Sequence, residues 1–151
     1  MKAVIQRVAS ASVSVDGKTT GEIGRGLLVF LGVAEGDTEA EAILLARKIV
    51  NLRIFSDENG QMNLSVKDID GEILVVSQFT LLADCRHGNR PDFFASAKPP
   101  LANELYERFK SLLKQEIGQV QCGIFGADMQ VSLLNDGPVT ILLDTVSLKG
   151  K

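Results

Sequence analysis

Apolar residues recur at every second position over much of the first fifteen residues. Ala3, Ile5, Ala9, Ala11, Val13 and Val15 occupy odd positions, and Ser10, Ser12 and Ser14 lie among the even ones. A period of two predicts a long strand with one buried face. Arg7 is the charged residue on that apolar face, where an unpaired guanidinium is costly, so it requires a partner. Asp16-Gly17 then reads as a tight turn and Leu27 to Val33 as a fully buried strand, giving an antiparallel, hairpin-like opening. Beyond it the period changes. Thr38 and Glu41 make a capping box, and Ala42, Leu45, Ala46, Ile49 and Val50 follow at helical spacing, predicting a helix from Thr38 to Leu52.

Asn59-Gly60 and Asp70-Gly71 mark further turns, and Glu72 to Ser77 is a short apolar strand running into Gln78, Phe79, Thr80 and Leu81. Ala83 to Lys98 is the main irregular segment. Pro99 and Pro100 introduce a second helix with the stripe Ala102, Leu105, Tyr106, Phe109 and Leu113, ending before Gly118. Strands are predicted at Val120 to Cys122, Met129 to Leu134 and Val139 to Leu148, the last two joined by a turn at Asn135-Asp136-Gly137-Pro138. No repeat, linker or low-complexity tract interrupts the chain, so residues 1–151 form a single domain. The fold class is α/β: a largely antiparallel, barrel-like β-sheet of roughly six to eight strands with two amphipathic helices.

Composition narrows the chemistry. A chain of 151 residues that is 45% hydrophobic buries a core without disulfides or a structural metal. Cys85 and Cys122 form no close pair and read as free thiols in a reducing compartment. The single histidine, His87, removes every imidazole-rich metal site and leaves one possible imidazole base. No metal or cofactor is expected. The formal net charge of -3 argues against holding nucleic acid by bulk attraction, although a local basic patch is compatible with it. No apolar run approaches the roughly 18 residues of a membrane span. Lys2 and Ala9-Ser10-Ala11 imitate a leader peptide, but Gln6 and Arg7 break its core, so a cytoplasmic protein is expected.

Most candidate sites dissolve on inspection. Gly21, Gly24 and Gly26 lack the register of a phosphate loop and read as turn glycines. Asp57, Glu58 and Asn59 lack the glycine offset and closing glutamate of a calcium loop. Cys85 and His87 make a nucleophile and base only if their side chains meet. Ser77, Gln78 and Thr80 place polar side chains at the end of an apolar strand, either as working groups on a rigid scaffold or as partners for local backbone groups. Gly137-Pro138 alone reads as an ordinary hairpin turn, and the isomer of its peptide bond cannot be read from the dipeptide.

Taken together, Ser77-Gln78-Phe79-Thr80-Leu81 and Asn135-Asp136-Gly137-Pro138-Val139-Thr140, with Met1-Lys2-Ala3-Val4-Ile5-Gln6-Arg7-Val8 at the start, resemble the signature of the D-aminoacyl-tRNA deacylase family, also described as D-tyrosyl-tRNA deacylases. The resemblance extends over the whole chain. It implies hydrolysis of the ester joining a D-amino acid, or mischarged glycine, to the terminal ribose of tRNA. It further implies a cytoplasmic homodimer in which the Gly137-Pro138 turn, its bond cis, reaches from one subunit into the other's site. Backbone carbonyls of that turn would leave no room for an L side chain, so chirality is enforced by exclusion. Arg7 would bond to the turn and hold its orientation.

For the chemical step the resemblance assigns Ser77, Gln78, Phe79 and Thr80 to the pocket that receives the terminal adenosine and the ester. Thr80 is either a nucleophile, with no histidine near it in sequence to activate it, or a bystander while the ribose 2′-hydroxyl helps activate a water and backbone N–H groups around Phe79 and Thr80 stabilise the oxyanion. The second route is favoured. Phe125 and Met129 line the adenosine pocket or pack in the core. Arg86, Arg90 and Lys98 are candidate tRNA contacts, diluted by Asp84 and Asp92. Two other classes compete: a non-catalytic module holding a tRNA terminus, and a general esterase built on Cys85 or Ser77 with His87. His87→Ala separates the esterase from the rest. Ester hydrolysis by that variant is expected to stay within about twofold of the parent, whereas an imidazole base contributes roughly a hundredfold or more.

Overall fold

The computed structural model describes residues 1–150; Lys151, the last position of the expected domain, lies outside the described residues. The axis of the sheet is β1 (Lys2–Val15). It turns through Asp16 and Gly17, both at positive φ (50° and 76°), into β2 (Lys18–Ile23). Such a two-residue turn matches the twist of the strands it joins. Next, β3 (Gly26–Gly32) pairs antiparallel with the first half of β1. A small separate ribbon is made by β4 (Phe55–Ser56) and β5 (Met62–Leu64). Then β6 (Glu72–Ser77) lies parallel to β3, β7 (Gln121–Cys122) lies parallel to β6, and β8 (Gln130–Asp144) runs antiparallel along β1. The order β2-β1-β3-β6-β7 curls back on itself: Thr20 Oγ1, on β2, donates to the Cys122 carbonyl at 3.4 Å and nearly closes a barrel. The sheet is therefore mixed: β3, β6 and β7 run parallel, and the pairs made by β1 are antiparallel.

Two cores result. Ala3, Ile5, Leu27, Val29, Leu31, Ile73 and Val75 face the helices, whereas Val8, Ala11, Val13, Ile23, Leu28, Leu74 and Val76 fill the barrel. Strands β3 and β6 are thus apolar on both faces, which is the pattern of covered parallel strands. In β1 the switch from one core to the other occurs at Val8, where the ladder to β8 shifts register on both sides. Val8 is consequently buried and Ala9 exposed, the reverse of strict alternation.

Helix α1 (Glu39–Val50) begins at the predicted capping box. The Thr38 hydroxyl accepts from the Ala40 N–H at 3.3 Å, and Glu41 Oε2 accepts from the Thr38 N–H at 2.6 Å. Helix α2 (Leu101–Ile117) buries the predicted stripe and stops at Gly118, whose φ of 89° suits glycine. Two expectations fail at the C-terminal end. β8 is one strand of 15 residues, with no hairpin at Gly137-Pro138. Both halves of β8 pair with β1, and Gln6 and Val8 oppose Thr140 and Asn135, so the residues between them bulge outward. Residues Thr145–Leu148 are also a short helix, α3, in place of strand, because the Asp144 carboxylate caps it by accepting from the Val146 N–H at 2.9 Å. The chain has three α-helices among the described residues where two were expected.

Glu41 joins α1 to the end of the chain. One oxygen completes the capping box and the other binds the Lys149 ammonium. The Lys149 and Thr38 contacts hold its carboxyl at about 2, below the ordinary 4.5. Because the folded value is the lower one, this stabilisation is complete above pH 4.5 and disappears as pH falls through about 2. Glu41→Gln keeps a capping-box acceptor but removes the charge. Denaturant titrations should give a stability gap between parent and variant that is constant near neutrality and closes between pH 4.5 and about 2.

Candidate functional site

The parallel strands β3 and β6 end side by side, with Leu31 opposite Ser77. The Gln78 N–H donates to the Leu31 carbonyl at 2.7 Å, and the chain then tightens into a 3-10 turn, Phe79–Leu82. That turn rests on Gly32. A Cβ there would sit 2.6 Å from Leu82 Cδ2 and 3.0 Å from the Gln78 carbonyl oxygen, so a larger residue would require the Leu82 side chain and the start of the turn to shift. The N–H groups of Phe79 and Thr80 open the turn and have no acceptor inside it. Gln78 Nε2 donates to Thr80 Oγ1, tying the Thr80 hydroxyl to an amide and not to a base.

Against this strand end lies a cavity of about 580 Å³. It is lined by Ser77, Gln78 and Phe79 from the strand end, by Phe93 and the buried Ala97, by Tyr106 from α2 and by Phe125 and Met129, with the exposed Lys98 at its rim. Tyr106 donates its hydroxyl to the Val75 carbonyl at 3.3 Å and packs on Phe125 with ring centroids 5.7 Å apart. Burial pushes its phenol above the ordinary range, so it stays protonated. Phe79 is 57% exposed and meets the Phe93 ring edge-on at 5.0 Å.

Of the residues singled out from sequence, Ser77, Gln78, Phe79, Phe125, Met129 and Lys98 meet in this cavity, and Thr80 is attached to it through Gln78. The cationic group is split. Lys98 is at the rim, while Arg86 is held by Asp84 through Nε at 2.9 Å, and its guanidinium keeps the Asp84 carboxyl at about 2. Arg90 is exposed on the same loop. Cys85 and His87 are also exposed there and do not line the cavity. Tyr106 and Asp128 line it unanticipated. Tyr106 sits on a helical stripe that reads as core, and nothing around Asp128 marks it as special. No group of three His, Cys, Asp or Glu residues among the described residues is placed to hold a metal ion.

The Asn135–Pro138 bulge is exposed on the outer strand and does not line the cavity of its own chain. Its Gly137–Pro138 bond is cis, as is Pro99–Pro100. Arg7 holds the bulge from beneath: Nε donates to the Asp136 carbonyl at 2.9 Å, an Nη donates to the Ile54 carbonyl at 2.7 Å, and the Asp136 carboxylate lies 3.2 Å away. The stray charge on the apolar face thus has its partners, and Arg7 is only 8% exposed.

Residues 4–144 match the family model described as D-Tyr-tRNA(Tyr) deacylase. The chain is 59% identical over 145 residues to the D-aminoacyl-tRNA deacylase of Thermosipho africanus, covering 96% of this chain and 97% of that one. It is 56% identical over 149 residues to the protein of the same name from Dictyoglomus turgidum, covering 99% and 96%. Among solved structures it is similar to the c-Myc DNA Unwinding Element Binding Protein, at 47% identity and a TM-score of 0.89 over 95% of this chain and 98% of that one. A probable eukaryotic D-amino acid tRNA deacylase shares the fold at 17% identity, with a TM-score of 0.83 over 94% and 97%.

Arg7→Met keeps an apolar body of similar length but strands the Ile54 and Asp136 carbonyls. A loss of roughly 2–4 kcal/mol is expected from removing hydrogen bonds to a charged, buried group. Chemical denaturation measures it, and amide exchange should rise across residues 135–140 more than elsewhere.

Proposed function

The chain belongs to the D-Tyr-tRNA(Tyr) deacylase family and is a hydrolase of ester bonds acting as a D-aminoacyl-tRNA deacylase, and we propose that it selects its substrate by backbone exclusion and cleaves it without an enzyme base. The observation that carries this is the meeting of the Ser77–Thr80 strand end with an apolar cavity walled by Phe125 and Met129. The terminal adenosine enters the cavity and stacks on Phe125. Its aminoacyl ester then lies over the 3-10 turn, where the Phe79 and Thr80 N–H groups face the developing oxyanion. Thr80 has an amide partner in Gln78, so it is poorly placed to act as an activated nucleophile. The ribose 2′-hydroxyl assists a water in its place.

Chirality is read by a second copy of the chain. The Asn135–Pro138 bulge is exposed and away from its own cavity, and the same strand exposes Leu133, Leu134 and Leu142. Apolar side chains of that size on an outer strand favour pairing between copies. Docked against the partner's cavity, the Gly137 and Pro138 carbonyls occupy the space an L side chain needs, whereas a D side chain points outward and glycine has none to exclude. Lys98, Arg90 and Arg86 hold the rest of the tRNA lightly, in the cytoplasm, with a shallow dependence of affinity on salt.

Purified protein is expected to hydrolyse D-aminoacyl-tRNA at least about a hundredfold faster than the matched L ester, a selectivity of roughly 3 kcal/mol. Equal rates would overturn the selection mechanism, and stoichiometric binding without turnover would favour a nucleic-acid-binding module. Thr80→Ala should retain turnover within about tenfold, and capture of an acyl group on Thr80 would sink the water route.

A further inference from the structure

We propose that Phe94, carried on the same exposed segment as Arg90 and Lys98, is the landing place for the unpaired cytidines that precede the terminal adenosine of the tRNA. This rests on the reading that the cavity holds that adenosine. Phe94 is 85% exposed, the most exposed large apolar side chain among the described residues. Lone surface apolar residues are common and need no explanation by themselves. Here the weight falls on how the ring is held and what surrounds it.

The segment carrying Phe94 is fixed from both ends. Asp84 and Asp92 exchange backbone hydrogen bonds of 2.9 and 3.0 Å, the Phe94 N–H donates to Asp92 Oδ1 at 3.3 Å, and Ser96 closes the turn onto the Phe93 carbonyl at 3.0 Å. On the far side the Glu35 N–H reaches the Ala95 carbonyl at 2.8 Å and the Ala97 N–H reaches the Val33 carbonyl at 2.9 Å. The backbone that carries the ring is therefore ordered, and the ring itself stands in water. A base that stacks on it does not have to order the loop as well.

Its surroundings point to single-stranded nucleic acid. Phe93, which lines the cavity and meets Phe79 edge-on, directly precedes Phe94, so the exposed ring stands one residue from the cavity lining. Lys98 lies at the rim, and neither it nor Arg90 enters an ion pair among the described residues, whereas Arg86 is occupied by Asp84. Stacking rings next to unpaired cations are the elements with which proteins hold a single strand. On this proposal, with the adenosine seated in the cavity, the preceding nucleotides run past Lys98 and along this segment.

The test compares the trinucleotide CpCpA with adenosine 5′-monophosphate in direct binding, and D-aminoacyl-tRNA with D-aminoacyl-adenosine in turnover. The parent should bind CpCpA about tenfold or more tightly than the mononucleotide, the range one stacked base supplies. Phe94→Ala should erase most of that difference and raise KM for D-aminoacyl-tRNA about tenfold, Phe94→Trp should restore both, and D-aminoacyl-adenosine should show no matching change. A parent with no preference for CpCpA, or an Ala variant equally impaired on long and short substrates, would overturn the proposal while the deacylase reading stands. A parent that cleaves neither substrate would remove that reading itself.

Discussion

The parallel pairing of β3 with β6 constrains the rest of the molecule. Each strand is covered by helices on one face and by the barrel interior on the other, so neither tolerates a polar side chain until it ends. Leu27, Leu28, Leu31, Ile73 and Leu74 are fully buried, each contributing about 1.5–3 kcal/mol relative to exposure. Where the strands stop, the covering stops with them, and Ser77, Gln78 and Thr80 are the first polar side chains the chain can display. Open crevices at the carboxyl ends of parallel strands are general ligand sites for this reason. Gly32 makes the same point from the neighbouring strand, because its missing side chain lets Gln78, Leu81 and Leu82 pack close against it.

A second consequence concerns β1, which serves both cores. Its register shift at Val8 moves its buried side chains from the helix side to the barrel side, and Arg7 stands next to that shift. The guanidinium is tolerated under the sheet because the opposing bulge of β8 brings it the Asp136 carbonyl and carboxylate. Irregularity in one strand and charge in the other compensate each other. Removing either leaves unsatisfied buried polar groups.

What the sequence alone revealed follows the strength of its periods. The capping box at Thr38 and the stripe from Ala102 to Leu113 are dictated by local chemistry, and the structure follows them closely. Lys18–Ile23 carries no strand signal of its own, because it is largely polar and takes its place by pairing with β1, a tertiary effect. Gly137-Pro138 carries the chemistry of a hairpin turn, yet both flanks find the same partner strand, which no local pattern records. Thr145–Leu148 looks like strand by composition and becomes helical through the Asp144 cap. In the site, the strand-end residues were legible from the break in apolar character at Ser77. Phe125 reads equally as pocket or core, and Tyr106 reads as core alone, because a helical stripe does not tell an aromatic that lines a cavity from one that fills a core.

On the proposed reading, the absence of imidazole and carboxylate from Ser77–Thr80 is a working condition and not a deficit. Amide N–H groups need no tuning of protonation, but they act only if their direction is fixed before the substrate arrives. Selection by excluded volume makes the same demand on the Gly137-Pro138 carbonyls, since a displacement of an ångström would admit the side chain it is meant to refuse. Both tasks therefore place their accuracy in packing: the first in Gly32 beneath the 3-10 turn, the second in Arg7 beneath the bulge. The side chains nearest the ester can then remain chemically plain, while the residues that set fidelity lie one layer behind them.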